Sequence, residues 1–204
     1  MSLTFLADLA KRRSFYKLTD KTSFYRQSDM ILAIRDAMKF TPAAFDMPTT
    51  HVVVAFNEKN AQLWQAVRDV FAKKLAKKPN MLQSFNQRVD GLAGGIGTIL
   101  FYQDVSMVKD LKETYAMYAA EFADWSMQEC GMVQLNIWSA LANINVGANL
   151  QHYNPDIDDA MKKMFDVPDD WKLISQMPFG TPTEGPQKPL DYDKPMDDRI
   201  KVFE

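Results

Sequence analysis

Residues 127–146, MQECGMVQLNIWSALANINV, run directly into residues 147–155, GANLQHYNP. Met132, Val133, Leu135, Ile137, Trp138, Leu141, Ile144 and Val146 fall nearly all round a helical wheel. A helix without a clean polar face belongs in the centre of a fold. The spacing therefore predicts a buried helix from about Met127 to Val146, with Gly147 at its C′ stop, and a short extended segment at Ala148–Tyr153. Downstream, Ile157, Met161, Met164 and Phe165 mark a small helix after Asn154-Pro155, and Trp171–Met177 reads as a strand. Five of the ten prolines lie between Pro178 and Pro195. That density predicts an extended arm over about 178–204.

Upstream, Val108, Leu111, Tyr115, Tyr118, Phe122 and Trp125 recur at steps of three and four, which predicts a helix from about Val105 to Asp124. Before it, four of the eight glycines fall between Gly91 and Gly97. A dinucleotide loop follows a strand and opens a helix. This stretch follows a helix and opens a strand, Thr98–Gln103, so it reads as a turn with close backbone packing. Thr49–Phe56 is a β-branched strand. Helices are expected after Asn57 (Leu63, Trp64, Val67, Val70, Phe71, Leu75), over Ser28–Phe40, and at the N-terminus, capped by Ser2. Lys73, Lys74, Lys77 and Lys78 read as a solvated helix end. The class is α+β, and the chain is read as one domain, 1–204, with its C-terminal arm.

The 204 residues carry 24 Lys+Arg against 26 Asp+Glu. A net charge of −2 argues against a nucleic-acid binder. No long apolar run predicts a membrane span, and no leader is apparent at the N-terminus. Cys130 is the lone cysteine, which excludes an internal disulfide and fits a cytoplasmic setting. With two histidines and one cysteine, a His/Cys zinc site is not expected, and no G-x-S-x-G elbow occurs. Cys130, in an apolar helix, is read as an inert buried thiol. Asp156, Asp158 and Asp159 favour the dipole of the helix they open. No side chain is thus singled out as catalytic, and a cofactor is expected to carry the chemistry. A phosphorylated cofactor needs cations. Arg12-Arg13-Ser14 offers two guanidiniums and a hydroxyl, and Lys188 and Arg199 lie near the other end.

In order along the chain stand Arg12-Arg13-Ser14, the strand opening at Gly97, the Leu150-Gln151-His152-Tyr153-Asn154-Pro155 stretch, Trp171-Lys172-Leu173, Met177-Pro178-Phe179-Gly180 and Lys188. That series resembles the nitroreductase family of flavin enzymes, above all a short bacterial and fungal branch. The resemblance implies a small, mostly antiparallel central sheet flanked by helices in an intertwined homodimer, with FMN at the subunit interface. Arg12, Arg13, Ser14, Lys188 and Arg199 would then hold the phosphate end. Asn86 and Arg88 would lie near the flavin ring, where Leu150, Gln151 and His152 would offer backbone donors.

One stretch departs from the pattern. Relatives often read A-F-N-S-Q where this chain has Ala44-Phe45-Asp46-Met47-Pro48. Asp46 can accept a hydrogen bond from the ring but cannot donate as an asparagine does. A carboxylate there disfavours an anionic reduced ring. Phe45, Tyr102 and Phe179 are candidates for the pocket wall, with plain core packing as the simpler role for each. The implied activity is hydride transfer from NADH or NADPH through FMN to nitroaromatics or quinones, by a ping-pong route. Two rivals stand beside it: an FMN- or lipid-binding sensing module, and a helical dimer without cofactor.

Overall fold

The computed structural model describes residues 4–21, 25–188 and 199–204. Along the chain it places α1 (Thr4–Lys11), β1 (Leu18–Thr19), α2 (Gln27–Lys39), β2 (Thr50–Phe56), α3 (Asn57–Lys74), α4 (Pro79–Ala93), β3 (Gly97–Asp104), α5 (Val105–Thr114), α6 (Phe122–Asn143), β4 (Gly147–Ala148), α7 (Asp158–Phe165) and β5 (Trp171–Pro182). Short 3-10 turns sit at Ala44–Asp46 and Ala116–Tyr118. Ser2, the expected first cap, lies outside the described residues.

The strands form one antiparallel sheet in the order β1-β5-β3-β2, with β4 paired to β5. Strand β3 is the spine, buried from Gly97 to Gln103. Alternate side chains of a strand point to opposite faces. Ile99 and Phe101 accordingly pack with Val133, Ile137 and Leu141 of α6 and Met30 and Ile34 of α2. Leu100 and Tyr102 pack on the other face with Leu63, Trp64 and Val67 of α3, Val89 and Leu92 of α4, and Met161 of α7. The result is a three-layer α+β fold with α6 as its central helix.

Three expectations are corrected. The helix foreseen over Val105–Asp124 breaks after Thr114, passes through the 3-10 turn and restarts at Phe122. Its aromatic stripe closes round one side chain: Phe45 stacks on Tyr115 at 4.5 Å and lies 5.7, 5.6 and 6.2 Å from Tyr118, Phe122 and Trp125. A straight helix spreads those rings over about 15 Å of rise and cannot gather them. The stop of α6 is Asn145, not Gly147. Asn145 has φ 58, Val146 N–H donates to Leu141 O at 2.9 Å, and Asn145 N–H donates to Ala142 O at 3.0 Å. This is the paired Schellman closure, in which asparagine serves as well as glycine. Gly147 is needed for space instead, because a Cβ there would stand 2.4 Å from Pro182 Cγ. Finally, Pro178–Pro182, expected in the arm, end β5. Phe179 is fully buried there, and Pro178 O accepts from Asn149 N–H.

Candidate functional site

After α1 the chain runs extended across the sheet end. Ser14 bridges to Ala148 in parallel, Phe15 N–H donates to Ala148 O at 3.0 Å, and Asn149 Nδ2 donates to Phe15 O at 2.5 Å. The segment then presses on α4. A Cβ on Gly91 would lie 2.4 Å from Tyr16 O, and one on Gly94 2.6 Å from Leu18 O. Only glycine admits so close an approach. On the far side, β1 pairs with the end of β5, and Thr183 N–H donates to Lys17 O at 3.0 Å. The chain from Thr183 to Lys188 therefore returns alongside residues 12–17.

Two adjoining grooves result. One, about 200 Å³, is lined by Arg12, Arg13, Ser14, Tyr16, Gln187 and Lys188 among others. The second, about 720 Å³, shares Tyr16, Gln187 and Lys188 and adds Lys17, Gln87, Arg88 and Asp90. The Arg13 guanidinium donates to Lys188 O, which ties the two ends of the chain together. Arg12 lies 4.5 Å over the Trp138 ring. Its pKa is lowered, first by burial and then by Arg13. Arg88 donates to Gln151 Oε1 at 3.1 Å and lies over the Tyr16 ring at 5.5 Å. Gln151 is itself locked. Its amide donates to Asn149 Oδ1 at 2.6 Å, and its backbone exchanges bonds of 2.7 and 2.9 Å with Gln176.

Among the described residues, none of Arg12, Arg13, Arg88 and Lys188 has a carboxylate within ion-pair distance. Asp90, at the rim, is engaged by Arg68 at 2.6 Å. Adjacent unpaired cations in a groove favour an anion, and planar guanidiniums grip phosphate oxygens through paired N–H bonds. The donor set suits a phosphate monoester.

The structure thus brings together Arg12, Arg13, Ser14 and Lys188, with Arg88 and Gln151 joined to the same site. Leu150 packs against the core cluster under α6, His152 is exposed, neither is among the lining residues, and the Gln151 N–H is taken up by Gln176. Asn86 is turned aside. Its Oδ1 faces Arg68 at 3.4 Å, and the next residue, Gln87, lines the groove. Arg199 is exposed and is not among the lining residues. Asp46 sits in a strained turn away from the groove, with φ 57 beside Phe45 at φ 55. Of the pocket-wall candidates, Tyr102 and Phe179 are core, whereas Phe45 reaches the surface. Sequence reasoning missed Tyr16, Lys17, Gln87 and Gln187. Tyr16 stands two residues beyond Ser14 on an extended segment, so period two could have found it. Trp138, behind Arg12, carried no such signal.

Residues 9–181 match the model of the Nitroreductase family. The chain belongs to the nitroreductase family. It is 28% identical over 186 residues to the nitroreductase FRM2 of Saccharomyces cerevisiae, covering 90% of this chain and 91% of that protein. Against the putative nitroreductase HBN1 of the same yeast the identity is 27% over 184 residues, covering 90% of each. Nitroreductase CinD from Lactococcus lactis, solved in complexes with chloramphenicol and with 4-nitrophenol, superposes with TM-scores of 0.87 and 0.85 at 33% and 32% identity, over 98% of this chain and 100% of that one. Family membership makes the protein an oxidoreductase. Among the described residues no helix is long and apolar enough to cross a membrane.

Proposed function

We propose that this nitroreductase-family protein binds FMN in the joined grooves and passes reducing equivalents from NADH or NADPH to electron-poor acceptors such as nitroaromatics and quinones. One observation carries the proposal: Arg12 and Arg13 line one groove with Lys188, 175 positions further on, and no acid among the described residues pairs with them. Bound there, FMN would supply the two-electron chemistry, which suits a ping-pong exchange between reductant and acceptor. Arg12, Arg13 and Lys188 hold the phosphate, and the Ser14 hydroxyl adds a donor. Arg88, held in place by Gln151, sets a positive charge in the wider groove, where it favours negative charge gained on reduction. No protein side chain is asked to move a proton.

A homodimer goes with this reading. Met127, Met132 and Leu135 of α6 are 39–44% exposed, and Leu32 of α2 and Leu6 of α1 more than half exposed. Such a surface suits a second copy. The bound complexes of CinD support nitroaromatics as the acceptor class.

The test is anaerobic. Purified protein carrying flavin is mixed with NADH and NADPH in turn, and bleaching of the yellow absorbance is followed. Reoxidation by a nitroarene or a quinone completes the cycle. Protein that neither copurifies with nor takes up flavin would refute the proposal. Slow reoxidation with every acceptor would replace catalysis with the sensing role. Lys188→Ala is expected to weaken FMN binding by a larger factor at low than at high salt, because the attraction it removes is screened as salt rises.

A further inference from the structure

Arg12 occupies an unfavourable place for a cation. It is partly buried, neighbours Arg13, and has no carboxylate partner among the described residues. What lies against it is the face of Trp138, 4.5 Å from the guanidinium carbon. The face of an indole carries negative potential and attracts a cation more strongly than any other side-chain ring.

Trp138 is suited to hold a position. It sits on the central helix α6 and packs against the buried cluster of Val133, Ile137 and Leu141. Its Nε1–H is buried and has no acceptor among the described residues. A buried donor without an acceptor is costly, and phenylalanine would avoid it, so no hydrogen bond among the described residues accounts for the indole at this place. Trp138 is absent from the groove lining, so it meets Arg12 and not the ligand space. A guanidinium held over a ring keeps its in-plane N–H groups free for paired bonds to an anion.

We infer that Trp138 is a positioning residue for the anion site. By holding Arg12 over its face, it sets the preference of this chain for a phosphorylated over an unphosphorylated flavin. The inference rests on the FMN reading. Its consequence is selective: substitution at Trp138 should act on the phosphate end of the ligand and leave recognition of the ring unchanged.

The experiment titrates the full-length, flavin-stripped chain with FMN and with riboflavin at fixed ionic strength, following quenching of flavin fluorescence. Wild type should prefer FMN. Trp138→Leu should lower the FMN-to-riboflavin affinity ratio by about tenfold, the scale of a desolvated cation–ring contact, and Trp138→Phe by only a few fold. In an Arg12→Ala background, Trp138→Leu should have no further effect on the ratio. As a readout without flavin, inorganic phosphate should raise the melting temperature of wild type more than that of Trp138→Leu. Equal weakening of both flavins, or an effect that persists without Arg12, would overturn the inference. If Trp138→Leu does not fold, Trp138→Phe decides in the same cycle, its ratio falling only when Arg12 is present. Wild type that prefers neither flavin overturns the FMN reading itself. A preference left intact in the Trp138 variants overturns this inference alone.

Discussion

Gly91→Ala tests the seating of the N-terminal segment on α4. The added Cβ would stand 2.4 Å from Tyr16 O, against an ordinary contact of 3.4 Å or more, so the segment must retreat by about 1 Å. The obstacle is backbone on both sides, which cannot swing away as a side-chain tip can. Overpacking of this kind costs about 2–3 kcal/mol. Alanine returns about 1 kcal/mol over glycine in a helix interior, leaving a net loss of about 1–2 kcal/mol. For a chain of this length that lowers Tm by about 2–8 °C. The displaced residue, Tyr16, lies between the two grooves, so FMN affinity should fall by about tenfold, or about 1.4 kcal/mol. Thermal unfolding of the flavin-free chain and an FMN titration measure both effects. Gly185→Ala is the control, since nothing lies within 4 Å of its added Cβ; it should be no less stable than wild type. If Gly91→Ala melts at or above wild type and binds FMN unchanged, the segment does not sit where its carbonyl is described, and the grooves are not shaped by it.

Glu129 is buried, with Oε2 accepting from Thr49 N–H at 3.1 Å and from the Thr49 and Thr50 hydroxyls at 2.8 Å. Glu129→Ala orphans these donors and should cost about 3–5 kcal/mol in denaturant unfolding, whereas Glu129→Gln, which keeps an acceptor, should cost about 1–2 kcal/mol; equal losses would refute the carboxylate's role. Burial pushes the Cys130 thiol up to about 11 from an ordinary value of 9.0. The unfolded chain then releases this proton first, so between those pH values it holds fewer protons than the folded one, and stability falls as pH rises, by about 2–3 kcal/mol over the window. Alkaline melting of Cys130→Ala should lack this slope, and a thiol reagent should reach Cys130 at pH 8 only on unfolding. Met132→Glu with Leu135→Glu should yield monomer in sedimentation, and an unchanged dimer would move the interface off α6.

The apolar wheel of α6, the strands Thr50–Phe56 and Gly97–Asp104, and the glycine-rich turn were legible because each reports a local period or a local steric need. The basic triplet Arg12-Arg13-Ser14 stood out for the same reason, as two guanidiniums and a hydroxyl in three adjacent residues, and all three line one groove. The break after Thr114 was not legible, because it depends on Phe45, a residue about seventy positions away that gathers Tyr115, Phe122 and Trp125. That Gln87 and not Asn86 lines the groove was not legible for a related reason. The helix was expected, but which of two neighbours faces the groove depends on how α4 is rotated against Tyr16 and Leu18, and that rotation favours Gln87.

By itself the sequence determined the class of fold, the buried central helix and the stock of cations available for an anion, since composition and periodicity act within a few residues. Only the tertiary structure decided which cations meet. Arg13 and Lys188 lie 175 positions apart and come together because β1 pairs with the end of β5, while Arg199 stays outside the lining. The physical reason is that a charge acts through distance in space. The antiparallel register of the sheet sets that distance, and separation along the chain does not.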